Sequence, residues 1–155
     1  MVMWWIPWIV WSLVPVKVEY VVPEWVLGQP AVVLKDTVGD QILPIFIGSA
    51  EANAIQLALK GIQPARPQTH DLLLKILRKL HAKVTQVVVT DLEEDIYFAE
   101  IYLETPDGQR IIDARPSDAI AIALRAQVPI AVEERVFRKY RASQQKGSSE
   151  KKSNL

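Results

Sequence analysis

The chain reads as an α+β domain: one compact unit in which mixed or antiparallel sheet packs with three main helices. Three observations predict this. Val84–Thr90, Ile96–Glu104 and Gln109–Ala114 are consecutive β-rich runs joined by short turns, the pattern of an antiparallel meander rather than of repeated βαβ units. Helical periodicity appears in three separate stretches, after Ser49, after Thr69 and after Ser117. The 155 residues, 50% hydrophobic and 23% charged, suit a single globular domain with a real core.

The first 16 residues carry no charge and hold Trp4, Trp5, Trp8 and Trp11. A bilayer-spanning helix needs about 20 apolar residues, and Pro7 and Pro15 break this shorter run. No basic region or small-residue cleavage site marks it as a secretory signal. Residues 1–16 are therefore expected to be an apolar, Trp-rich extension ahead of a domain at 17–139, without membrane insertion. A disordered extension, an interfacial anchor and an arm packed on the domain all remain open.

Val16–Val22 predicts a strand and Pro23–Pro30 a turn. Ala31–Lys35 and Gln41–Ile47 predict two strands around the Gly39 loop. Ser49 is placed to cap a helix from Ala50 to about Lys60, which Gly61 stops. Ile62–Gln68, with Pro64 and Pro67, is a loop. Thr69 is placed to cap a helix to about Leu80, with Leu72, Leu73, Ile76, Leu77 and Leu80 as its apolar face. Lys75, Arg78, Lys79 and Lys83 then form either a solvated face or one that tracks phosphates. The meander follows, with an acidic loop at Asp91–Asp95 that lacks EF-hand spacing and reads as a hairpin tip. The helix after Ser117 is apolar almost all round and is expected to be buried, with Arg125 suiting its C-terminal dipole end. Val128–Val132 predicts a strand and Glu133–Tyr140 a short helix. Residues 140–155 are polar and Lys/Ser-rich and are expected to be a disordered tail.

The formal net charge is zero, so no global field recruits nucleic acid or anionic lipid, and anion binding must be local. Charge is nevertheless segregated. Lys60 to Lys83 contains six Lys/Arg and one acid, whereas Asp91 to Glu104 contains six acids and no base. The absence of Cys excludes disulfides, thiolate chemistry and Cys-based zinc sites, and fits a reducing, cytoplasmic setting.

Three polar clusters stand out: Glu51; Arg66 with Thr69, His70 and Asp71; and Asp113 to Asp118. All lie at helix starts, where free N–H groups and the positive dipole end suit an anion. Each also has a plainer reading. Ser117 is a good N-cap, and Glu51 and Asp118 complement a first turn. The junctions at Ser49 and Ser117 can face one another. His81 reads as a surface residue. His70, with a carboxylate and a guanidinium nearby, completes a minimal kit for phosphodiester cleavage: proton carrier, orienting group and anion clamp. No P-loop, dinucleotide-binding glycine loop, nucleophile elbow or His-Glu-x-x-His helix is present.

Leu43-Pro44-Ile45-Phe46-Ile47-Gly48 with Glu51-Ala52, then Arg66-Pro67-Gln68-Thr69-His70-Asp71-Leu72, then Asp113-Ala114-Arg115-Pro116-Ser117-Asp118-Ala119 resemble, in order and spacing, the bifunctional nuclease domain family, also called DUF151. The resemblance spans about Val16 to Phe137; the Trp-rich N-terminus has no counterpart in that pattern. It implies a compact α+β domain and hydrolysis of phosphodiester bonds in RNA and DNA. On this basis His70, Asp71, Asp113 and Asp118 are the expected catalytic residues, and Arg66, Thr69, Arg115 and Ser117 the expected substrate-binding ones. Glu51, Asp113 and Asp118 are the expected ligands of a divalent ion, Mg²⁺ or Mn²⁺. A homo-oligomer, most simply a dimer, is also expected. The rival expectation is a non-catalytic module that binds nucleic acid or protein.

Overall fold

The structure, a computed structural model, describes residues 13–153. One seven-stranded mixed sheet organises it. Its strands are β1 (Leu13–Val22), β2 (Ala31–Asp36), β3 (Ile42–Phe46), β4 (Lys83–Glu93), β5 (Ile96–Thr105), β6 (Gly108–Ala114) and β7 (Ile130–Glu133). The helices are α1 (Glu24–Leu27), α2 (Ser49–Leu59), α3 (Thr69–Lys79), α4 (Pro116–Ala126) and α5 (Glu134–Ser153). The strand order is β3-β2-β1-β7-β4-β5-β6, and only β4 and β7 run parallel. The expected α+β class is borne out. The antiparallel pieces are one continuous sheet because β7 bridges β1 and β4.

Edge positions follow the chemistry. β3 contains Pro44, which has no N–H to give to a second neighbour, and it lies at one edge. The β4–β5 connection shrinks from the expected five-residue loop to a tight turn. Glu94 and Asp95 take positive φ, 48° and 66°, as a two-residue hairpin requires. Asp91 is drawn into β4, where it pairs with Lys139 at 2.7 Å.

The sheet register decides which side chains can meet the helices. Val87, Ile101 and Ile112 lie side by side across β4, β5 and β6; Val88, Glu100 and Asp113 form the adjacent row. Successive residues of a strand point to opposite faces. The first row belongs to the face packed by α4, which contacts β4 and β5. The second row, with Asp113, points the other way.

α4 is the buried helix the sequence predicted. Pro116, Ser117, Ala119, Ile120, Ala121, Ile122 and Ala123 are all buried. Its alanines let the backbone approach the sheet closely, and each fully buried Ile contributes about 1.5–3 kcal/mol. α2 and α3 pack on α4.

Several expectations need correction. Leu13–Val16 belong to β1 and pair with β7, so this part of the 1–16 segment is sheet; residues 1–12 lie outside the described residues. Within Pro23–Pro30 there is a short helix, α1. After Tyr140 the chain continues α5 as far as Ser153, with no proline to interrupt the helix, and residues 154–155 lie outside the described residues. The apolar face expected on α3 is present, and much of it is exposed: Leu72 49%, Leu73 40% and Ile76 46%, with Leu80 at the helix end 66%. Periodicity records that a face is apolar, and α3 lies beside α4 rather than flat on the sheet.

Candidate functional site

The starts of α2, α3 and α4 converge in one hydrogen-bonded chain of side chains. β6 delivers the chain directly into α4. Ala114 ends the strand, Arg115 is the helix N-cap in extended conformation, and Pro116 at the first helical position presets the turn. Arg115 Nε donates to Asp118 Oδ2 at 2.7 Å, and an Nη2 hydrogen goes to Glu51 Oε1, from the first turn of α2, at 2.8 Å. Asp118 Oδ1 lies 2.9 Å from His70 Nε2, at the start of α3. His70 is buried, only 8% exposed, whereas the Arg115 side chain is 66% exposed.

The electrostatics follow from those contacts. Burial alone would raise the Asp118 carboxyl, but hydrogen bonds from Arg115 and His70 outweigh it and hold Asp118 below the ordinary carboxylate range. The bond to Asp118, then the one to Glu51, raises Arg115 further above its already high value, so its cation is fixed. Beside this cluster opens a groove of about 720 Å³, walled by Leu72, Leu73 and Ile76 of α3 and by Ile101 and Ile112 of the sheet.

The next residue along α3 makes a second, separate link to α4. Asp71 Oδ1 accepts from Arg125 Nε at 2.8 Å, and its Oδ2 accepts from the Gln68 backbone N–H at 3.0 Å. Burial pushes the Asp71 carboxyl up, but the bonds from Gln68 and Arg125 win and lower it. The Arg125 side chain is only 9% exposed and also donates to the Ala121 carbonyl.

The sequence-predicted residues therefore separate. Glu51, His70, Arg115 and Asp118 come together, and the junctions at the starts of α2 and α4 do face one another. Thr69 lies on the groove wall. Asp71 is committed to Arg125 and to the helix start instead. Asp113 touches the groove rim, yet its register turns the side chain to the opposite sheet face beside Glu100. Ser117 is buried inside the first turn of α4, and the cap position belongs to Arg115. Likewise Gly48 caps α2 and Gln68 caps α3, one residue before the expected Ser49 and Thr69. Arg66 lines a different cleft.

The donors expected for a divalent ion do not fit one as arranged. Both Asp118 oxygens and one Glu51 oxygen already accept from cationic or imidazole nitrogens, and Asp113 faces away. Among the described residues, no group of three or more His, Cys, Asp or Glu is placed to hold a metal ion.

Two contributors escape sequence reasoning. A Cβ at Gly48 would collide with Glu51 Oε2, so glycine leaves the room in which Glu51 folds back toward Arg115. Arg125 read as a dipole partner. The available signal was its place on a helix apolar all round, where a guanidinium needs a carboxylate to be tolerated.

Fold and site define an α+β domain whose helix starts carry a carboxylate–guanidinium–carboxylate–imidazole relay. A profile of the bifunctional nuclease domain matches residues 32–145, and the chain belongs to that family. It is similar to an uncharacterized protein of Mycobacterium tuberculosis, 43% identical over 110 residues, covering 71% of this chain and 65% of that protein. It is also similar to Bifunctional nuclease 2 of Arabidopsis thaliana, 36% identical over 106 residues, and to Bifunctional nuclease 1 of Oryza sativa subsp. japonica, 32% over 110. Those matches cover 66% and 68% of this chain but only 32% and 33% of the plant proteins. The chain thus spans about a third of the plant relatives and 65% of the mycobacterial one. No described helix is long and apolar enough to cross a membrane.

Proposed function

We propose that the chain is a nuclease that hydrolyses phosphodiester bonds of RNA and DNA, with His70, Asp118 and Arg115 as the reacting group. The observation that carries this reading is the 2.9 Å His70–Asp118 contact, tied to an exposed Arg115 at the mouth of a groove. Asp118 fixes the imidazole through Nε2. That leaves Nδ1, which bonds to no described residue and is not sealed from solvent, to exchange a proton with water or a leaving oxygen. Arg115 spends Nε and Nη2 on the carboxylates and keeps Nη1 for a phosphate oxygen. With a neutral imidazole the four residues sum to −1, and with an imidazolium to zero. A phosphate therefore binds better beside the imidazolium, which is the form that protonates a leaving oxygen.

The test is cleavage of labelled single-stranded RNA and DNA by purified protein, with Mg²⁺, with Mn²⁺ and with chelator, beside Asp118→Asn. The metal arms matter because a metal-assisted route requires Arg115 to leave both carboxylates. Cleavage that collapses in Asp118→Asn, with circular dichroism unchanged, is the expected result. Equal cleavage by both proteins sinks the proposal.

A second reading, a non-catalytic binding module, is favoured by one observation. The exposed leucines of α3 lie beside Ile112 of the unpaired edge strand β6, a surface suited to a second copy or another protein. It requires saturable binding without turnover, and a dimer in sedimentation.

A further inference from the structure

α3 separates two concavities. Thr69, Leu72, Leu73 and Ile76 face the groove described above, while Asp71, Leu74, Lys75 and Arg78 face a second cleft of about 550 Å³. The spacing 71, 74, 75, 78 is one side of a helix. The opposite wall of this cleft is the loop that follows α2, from Gly61 to Pro67, and its floor reaches Arg125 of α4.

The charge balance of the cleft is the informative feature. Asp71 is the only carboxylate lining it, and both its oxygens are engaged, one by Arg125 and one by the Gln68 N–H. It neutralises Arg125 and nothing more. Arg66, Lys75 and Arg78 line the same cleft, and none of them takes part in an ion pair or side-chain hydrogen bond among the described residues. Three uncompensated cations thus converge on a concavity from a loop and a helix, in a chain whose net charge is zero. A merely solvated cationic face would need no concavity. The loop is stiffened by Pro64 and Pro67, so little ordering entropy is lost when a ligand binds. Leu57, Ile62 and Leu124 line the same cleft, whose lining has no aromatic ring and no neutral side-chain hydrogen-bonding group except Gln63.

We infer that this cleft is a second ligand site, separate from the His70 cluster, that takes a nucleoside phosphate. The phosphate sits among Arg66, Lys75 and Arg78, and the base lies on the aliphatic wall without base-specific readout. A volume of about 550 Å³ lies within the usual range of small-ligand sites. A free nucleotide and a nucleotide within a nucleic-acid strand present the same chemistry, and the experiment separates them.

Calorimetric titrations of the full chain with adenosine 5′-monophosphate, adenosine and a short single-stranded oligonucleotide test the site. They are repeated on the triple variant Arg66→Ala/Lys75→Ala/Arg78→Ala and on Arg110→Ala, a cation of β6 outside the cleft. The monophosphate should bind at least tenfold more tightly than adenosine. It should lose at least tenfold in the triple variant and keep its affinity in Arg110→Ala. Oligonucleotide binding whose log K against log salt slope becomes shallower by about 2 in the triple variant, at ~0.7 per phosphate contact, assigns the site to strands. Monophosphate binding without that change of slope assigns it to free nucleotides. Either result upholds the site. Equal affinity of the triple variant and wild type for both phosphorylated probes, or no binding of either, overturns it. These readouts do not involve His70 or Asp118, so the nuclease proposal stands or falls separately.

Discussion

His70 and Asp71 are consecutive residues at the start of α3, and each reaches α4 with an acid–base contact of nearly equal length, 2.9 and 2.8 Å. Their environments differ. Asp71 meets an arginine that is 9% exposed and has all its visible obligations inside the fold. His70 meets Asp118, whose other partner, Arg115, is 66% exposed at a groove. The same chemistry thus serves as a clamp on one flank of the helix and as an accessible relay on the other. Burial of the cation, rather than residue type, separates a structural pair from a candidate reacting group.

The contrast is sharpest between two alanine variants. His70→Ala should lower nuclease turnover by about 10²–10⁴, the usual contribution of a general acid or base. Its melting temperature should move little by comparison, because the ring leaves Asp118 still paired with Arg115. Asp71→Ala should do the reverse. It strands Arg125 in the interior without a counter-charge, at a cost of about 3 kcal/mol, read by urea unfolding. If turnover per folded molecule fell as far in Asp71→Ala as in His70→Ala, the two links would not be functionally distinct.

Acid should weaken both links. Asp71 and Asp118 each have a folded carboxyl value below the ordinary one. A depressed folded value contributes stability that is complete above the unfolded value, near pH 3.9, and is lost as pH falls through the folded value. Wild type should therefore lose stability as pH falls below about 4, and Asp118→Asn should lose less over the same descent. A parallel loss in both proteins would show that Asp118 does not carry its part.

The smallest effect concerns Gly48. Its φ of −75° suits any residue, so the glycine is explained by space for Glu51 and not by backbone conformation. Gly48→Ala should cost about 0.5–1 kcal/mol, within the range for loss of a good N-cap residue, and should push Glu51 off Arg115. A nitrogen NMR shift of the Arg115 guanidinium that matches Glu51→Gln would confirm the displacement; an unchanged guanidinium signal would mean that Glu51 has another way to stay.

Much of this was legible in the chain. Local rules placed the starts of α2 and α3 within one residue and that of α4 within two, because glycine, proline and small polar residues restrict the backbone where they stand. The all-round apolarity of Ala119–Ala126 announced burial. Motif spacing brought Glu51, His70, Arg115 and Asp118 into one candidate set. The same reasoning placed Asp113 with them, because proximity in sequence says nothing about which face of a strand a side chain takes.

Three facts were left to tertiary structure. Sheet register put Asp113 beside Glu100 instead of Asp118, since a one-residue offset in a strand reverses direction. The crossing of α3 over α4 gave His70 and Asp71 opposite flanks and left the leucine stripe uncovered. Arg115 came to bridge Glu51 and Asp118, carboxylates of two different helices. The sequence by itself determined the α+β class, the helix starts and the residue types at them, because capping, period and turn chemistry act over a few neighbouring residues. Partners 48 and 64 positions apart, His70–Asp118 and Glu51–Arg115, were decided only when the strands paired and the helices packed. Contacts at that separation are fixed by global geometry, which no local preference encodes.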